Sequence, residues 1–123
     1  MIIGSISENF QVEKRIAITP ETAKKYIASG FEVLLSESYG QHLGINKTEY
    51  TELGINFLNE KQILEKSDII VQLGLLSEEN KSFLKEKKIL VGIFNPYNNK
   101  DEINKLIKKN INIFSLELLP RIT

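Results

Sequence analysis

Two patterns take turns along this chain: short apolar runs of strand length, and stretches whose apolar residues recur at three and four positions. Residues 1–6 are the first apolar run and turn polar at Ser7-Glu8-Asn9, which predicts a buried strand running into a loop that leads to Arg15. Ile16, Ala17 and Ile18 are a short β-prone run. Thr19 then reads as an N-cap, with Pro20 at the first helical position and Glu21 in the first turn. The helix over 20–29 carries Ala23, Tyr26 and Ile27 on one face, and Gly30 stands where a helix C-terminus wants a left-handed residue. A strand over 31–35 follows, closed by Ser36-Glu37-Ser38-Tyr39-Gly40. Asn46 caps a short helix through Tyr50 and Leu53 that Gly54 ends, and 55–58 alternates as a short strand, placed at the sheet edge.

Asn59 begins another helix with Ile63 and Leu64 inward, and Ser67-Asp68 breaks it before 69–73, the clearest central strand. Ser77, with Glu78 and Glu79 behind it, starts a helix carrying Phe83 and Leu84. Residues 89–94 form the next strand and 95–99 a loop. The helix over 101–109 puts Ile103, Leu106 and Ile107 on one face with Asn110 at its end, and 111–116 is the last strand. Strands that are apolar almost throughout and alternate with helices predict an α/β fold, a mainly parallel sheet covered by helices on both faces, Rossmann-like or flavodoxin-like. Ligands reach such sheets at the carboxyl ends of the strands, so a site is expected in the loops after Leu73, Phe94 and Leu116.

Length and composition narrow this further. A chain of 123 residues with 41% hydrophobic content fits one domain with a real core. Sixteen basic residues balance sixteen acidic ones, leaving no net field to hold a nucleic acid. Without cysteine there are no disulfides, thiolate metal sites or cysteine nucleophiles, and one histidine, His42, is a poor basis for a metal site. That composition fits a cytoplasmic chain. No apolar run approaches the length of a membrane span, so no direct membrane insertion is expected.

The seven glycines never form Gly-x-Gly-x-x-Gly, so the chain has no dinucleotide fingerprint of its own. The paired carboxylates Glu78-Glu79 and Asp101-Glu102 stand at helix starts, where negative charge complements the macrodipole. His42 falls in a loop, and Ser38 and Ser115 have no histidine and acid beside them, so no catalytic residue is assigned. Two arginines stand out among fourteen lysines. Arg15 and Arg121 lie outside the helices beside apolar runs, where a planar fork of donors meets either a ligand carboxylate, amide or phosphate, or a neighbouring glutamate such as Glu13 or Glu117. The chain closes on Pro120-Arg121-Ile122-Thr123 straight after a strand, which reads as a single 1–123 domain interrupted inside a ligand loop.

Arg15-Ile16-Ala17-Ile18-Thr19-Pro20, Gly30-Phe31-Glu32-Val33, Tyr50-x-x-x-Gly54, Asp68-Ile69-Ile70-Val71 and Pro120-Arg121-Ile122-Thr123 occur in order across essentially the whole chain. In this the chain resembles the N-terminal domain shared by alanine dehydrogenase and the alpha subunit of proton-translocating NAD(P) transhydrogenase. The resemblance implies one wall of a cleft in which NAD(H) lies, the cofactor being held mainly by a Rossmann domain beyond this chain. It implies Arg15 as a substrate-binding residue in the dehydrogenase branch. In that branch a lysine on the central strand and a histidine after the next complete the site, but Gln72 and Asn95 stand there, and neither shuttles a proton at neutral pH. The other branch has a loop opening Pro-Arg-Ile-Ser, which Pro120-Arg121-Ile122-Thr123 matches, so Arg121 is similar to the arginine that helps hold the nicotinamide. That branch usually also has the lysine, and its Gly-Ala-Gly turn is Ser38-Tyr39-Gly40 here.

The expectation is thus a portion of an oxidoreductase, the N-terminal segment of a transhydrogenase alpha subunit that serves hydride transfer between NAD(H) and NADP(H) coupled to proton translocation. The isolated chain is expected to be inactive. Its implied partners are the C-terminal Rossmann half, the beta subunit with its NADP domain, and a second copy in a homodimer, reaching the membrane through partner subunits. Two alternatives stay open: a non-catalytic binding or interaction domain of the same fold, and a fragment of a divergent alanine-type dehydrogenase.

Overall fold

In a computed structural model of the chain, residues 1–8, 15–74, 76–92 and 100–115 are described. Six strands form one sheet: β1 Ile2–Ser5, β2 Glu32–Ser36, β3 Asn56–Leu58, β4 Ile69–Gln72, β5 Ile89–Gly92 and β6 Asn112–Ser115. They are all parallel in the order β3-β2-β1-β4-β5-β6, the doubly wound arrangement expected from the sequence, with β3 at an edge and β4 inside. Between them run α1 Pro20–Ala28, α2 Lys47–Thr51, α3 Glu60–Lys66, α4 Glu78–Lys81 and α5 Lys100–Lys108.

Pleating divides the core into two layers. Ile3, Val33 and Leu35 face α1, Tyr39, Tyr50 and Ile55. Leu34, Ile70 and Leu90 point the other way, onto Ile63 and Leu64 of α3, Leu84, and Leu106 of α5. Gly4 sits mid-strand because α3 ends directly on β1: a Cβ there would lie 1.9 Å from the Ser67 Oγ.

The helix starts follow their caps. Thr19 Oγ1 accepts from the Thr22 N–H at 3.2 Å ahead of Pro20, and Asn59 Oδ1 accepts from the Gln62 N–H at 2.8 Å. Glu49 Oε2 accepts from the Asn46 N–H at 2.8 Å. Gly30 and Gly54, with φ of 95° and 87°, follow α1 and α2 in the left-handed conformation.

Three expectations are corrected. The run Ile16 to Ile18 joins no strand, because the Ala17 and Ile18 N–H groups are bound by the Tyr39 hydroxyl instead. The helix after Ser77 ends at Lys81, so Phe83 and Leu84 lie beyond it; the Ser82, Phe83 and Leu84 N–H groups all bond three residues back, tightening the chain out of the helix. Ile107 is 55% exposed, since α5 packs on β6 at the sheet edge and buries only a narrow stripe through Ile103 and Leu106. The ends of the last two predicted strands, Asn95, Glu13, Glu117 and Pro120 to Thr123, including Arg121, lie outside the described residues.

Candidate functional site

In this strand order the crevice opens where β1 and β4 lie side by side and their chains depart in opposite directions. The polar groups of the site come from the ends of those two strands. Gln72, the last residue of β4, is 2% exposed. Its Oε1 accepts from the Ile6 N–H at 2.7 Å and the Ser5 hydroxyl at 3.0 Å. Its Nε2 donates to Ile6 O at 3.1 Å and to Glu8 Oε2. The side-chain amide thus pairs with both polar groups of the Ile6 backbone, as a further ladder residue would, and its hydrogen-bonding capacity is filled.

Glu8 completes the arrangement from the β1 side. Its Oε1 accepts from the Gly74 N–H at 2.8 Å and its Oε2 is 3.4 Å from the Leu73 nitrogen. The backbone donors after β4, which elsewhere in such folds face phosphate, are occupied here by a carboxylate of this chain.

Tyr39 ties the site to the segment that carries Arg15. Its hydroxyl accepts from Ala17 N at 3.1 Å and Ile18 N at 3.0 Å, and its own proton goes to Ser5 Oγ at 2.9 Å. Ser5 in turn donates toward Val71 O at 2.7 Å. Tyr50 donates to Ile18 O at 2.8 Å and meets Tyr39 edge to face, so two phenols hold the Ala17–Ile18 stretch by its polar groups. Burial above all raises both phenol pKa values, and Tyr39 and Tyr50 are neutral donors throughout the physiological range.

Two cavities flank Gln72. One of about 230 Å³ is lined by Ser7, Glu8, Gln72, Ser77 and Asn80 with Ile6 and Leu76. The other, about 410 Å³, is mainly apolar and runs between Ala17, Tyr26, Val71 and Val91. The sequence expectation of a site after Leu73 therefore holds.

Of the residues singled out in the sequence, Arg15 is exposed at the start of the clamped segment, two residues before Ala17. His42 is exposed in a 3-10 turn over Gln41–Leu43, and Ser38 is exposed in the turn after β2. Glu102 pairs with the buried Lys81 at 3.0 Å, and Asp101 stands beside it in the first turn of α5. Sequence reasoning missed Ser5, Glu8 and Tyr39 as site residues. The one available signal was Ser5 and Glu8 flanking the end of an otherwise apolar first strand. Among the described residues no group of three or more His, Asp or Glu is placed to hold a metal, and no helix is long and apolar enough to cross a membrane.

Fold and site define a doubly wound α/β domain whose polar groups converge at the switch point of its sheet. Residues 4–123 match the family model described as alanine dehydrogenase/PNT, N-terminal domain, and the chain belongs to that family. It is 34% identical over its whole length to the first portion of a split NAD(P) transhydrogenase subunit alpha from Rickettsia prowazekii, of which it covers 33%. It is 28% identical to the NAD(P) transhydrogenase subunit alpha of Haemophilus influenzae, again over its whole length and 24% of the relative. The chain thus spans a third or less of the length of these curated relatives. A solved transhydrogenase from Sinorhizobium meliloti superposes with a TM-score of 0.92 at 26% identity, covering all of this chain and 37% of that one. An L-alanine dehydrogenase shares the fold at 15% identity and a TM-score of 0.85, covering 94% of this chain and 32% of that one.

Proposed function

We propose that this chain is the N-terminal portion of a transhydrogenase alpha subunit and forms one wall of its NAD(H) cleft. The observation that carries the reading is the full-length likeness to transhydrogenase alpha subunits and to a solved transhydrogenase. The chemistry of the described residues supports a wall rather than a complete nucleotide site. Glu8 occupies the Gly74 N–H and puts negative charge at the strand ends, so the pyrophosphate is held elsewhere, on a Rossmann half that continues this subunit. Bound NAD(H) supplies the hydride. This chain binds and orients the cofactor and shields it from water, and Gln72, with its amide filled, moves no proton.

Arg121, through the loop it opens, is the cofactor-binding residue in this reading, and Arg15 stands on the segment that Tyr39 and Tyr50 fix. The NADP domain of a beta subunit faces the cleft, and a second alpha subunit completes a homodimer. The test is steady-state hydride transfer from NADH to an NADP analogue by the complete enzyme. Arg121→Ala is expected to lower turnover tenfold or more with the melting temperature unchanged. Unaltered transfer removes the Arg121 assignment, and NADH oxidation that depends on pyruvate and ammonia would move the protein to the dehydrogenase branch.

A further inference from the structure

We propose that the crevice between the ends of β1 and β4 is a subsite for the hydroxyl pair of a ribose, with the Glu8 carboxylate as acceptor; this rests on the reading of the chain as a wall of an NAD(H) cleft. Four observations lead there. At about 230 Å³ the crevice is smaller than the ~300–1,000 Å³ that enclose a whole small molecule, so it takes one moiety of a larger ligand.

Its lining includes one carboxylate and, among the described residues, no lysine, arginine or histidine, which disfavours a phosphate or a carboxylate. The hydroxyls of Ser7 and Ser77 and the amide of Asn80 offer both donors and acceptors, as ligand hydroxyls do, whereas an ammonium group only donates. Glu8 itself is set in advance: the Gly74 N–H and the Gln72 amide fix its two oxygens from the β4 side, so a hydroxyl meets an ionised acceptor that does not have to reorganise. The crevice also lies at the switch point, where ligands of sheets with this order bind.

The experiment measures coupling between ligand hydroxyl and protein carboxylate in the complete protein. Binding of NADH, and of two NADH analogues each lacking the 2′-hydroxyl of one ribose, is followed by fluorescence for the wild type and Glu8→Gln. Glu8→Gln is expected to weaken NADH by about tenfold or more, the size of a lost hydrogen bond to a charged group. One of the two analogues is expected to bind both proteins within about twofold, which is the signature of a direct contact. Equal weakening of NADH and both analogues overturns the subsite while leaving the cleft in place. A wild type that binds no NADH overturns both.

Because Glu8→Gln removes contacts to β4, hydrogen exchange of the wild type supplies a second measurement that needs no substitution. NADH is expected to protect the amides of residues 5–8 and 72–77. Unchanged exchange in those segments overturns the proposal whatever the variant does.

Discussion

A side-chain amide at the end of β4 extends the sheet by one pseudo-residue, since Gln72 bonds both the N–H and the C=O of Ile6 across 66 positions of sequence. Nothing local announces this. A buried polar residue shows in the sequence only as a break in an apolar run, and its partners depend on which strands become neighbours. Gly4 is similar, for a glycine inside an apolar run says that something approaches closely but not what. The structure supplies Ser67, whose buried hydroxyl has no hydrogen-bond partner among the described residues. Gly4→Ala is therefore expected to cost about 1–3 kcal/mol by overpacking, because the new methyl meets Ser67 and Ile63. Ser67→Ala is expected to be neutral or slightly stabilising, since it removes a desolvated hydroxyl and loses no bond. Urea denaturation midpoints of the two variants check both signs. A Ser67→Ala that destabilises by more than about 1 kcal/mol would mean that the hydroxyl has a partner.

At the scale of elements the sequence was most legible where structure is local. Thr19, Asn46 and Asn59 start the helices they were expected to start, and Gly30, Gly54 and Asn110 follow helices with positive φ. It was least legible over residues 15–19, where β propensity at Ile16 to Ile18 suggested a strand and a tyrosine from another turn took the backbone donors. That clamp makes a pH prediction. Burial raises the Tyr39 and Tyr50 phenols above the ordinary value of 10.0, so the unfolded chain ionises them first as pH rises. Their contribution to stability is complete below pH 10 and is lost as pH rises from there through the raised folded values. The melting temperature should fall further between pH 8 and 10.5 in the wild type than in Tyr50→Phe, the lysines common to both cancelling in the comparison. Identical falls would mean that Tyr50 is not desolvated.

Over the whole molecule, alternation of strands and helices was enough to read a parallel, doubly wound sheet, because apolar runs of four or five residues have few other ways to be buried. Which face each helix covers was not readable, and this leaves a consequence at one end of the sheet. The chain after β3, β4 and β5 packs on the side of Ile70, Leu90 and Ile113, so the opposite side of β4, β5 and β6 stays open among the described residues. There Val71, Val91 and Phe114 form a row in register, with Phe114 52% exposed on the edge strand β6 and the apolar cavity of about 410 Å³ running over Val71 and Val91. An apolar row that reaches a sheet edge favours association, both by burial and by strand pairing. The 123-residue chain on its own is thus expected to self-associate with rising concentration, and Phe114→Lys is expected to suppress this while shifting the melting temperature by no more than a few degrees, since Phe114 lies outside both core clusters. Sedimentation velocity over a concentration series decides it. A wild-type chain that stays monomeric throughout would show that this face is covered from within the chain, and association undiminished in Phe114→Lys would place the contact elsewhere.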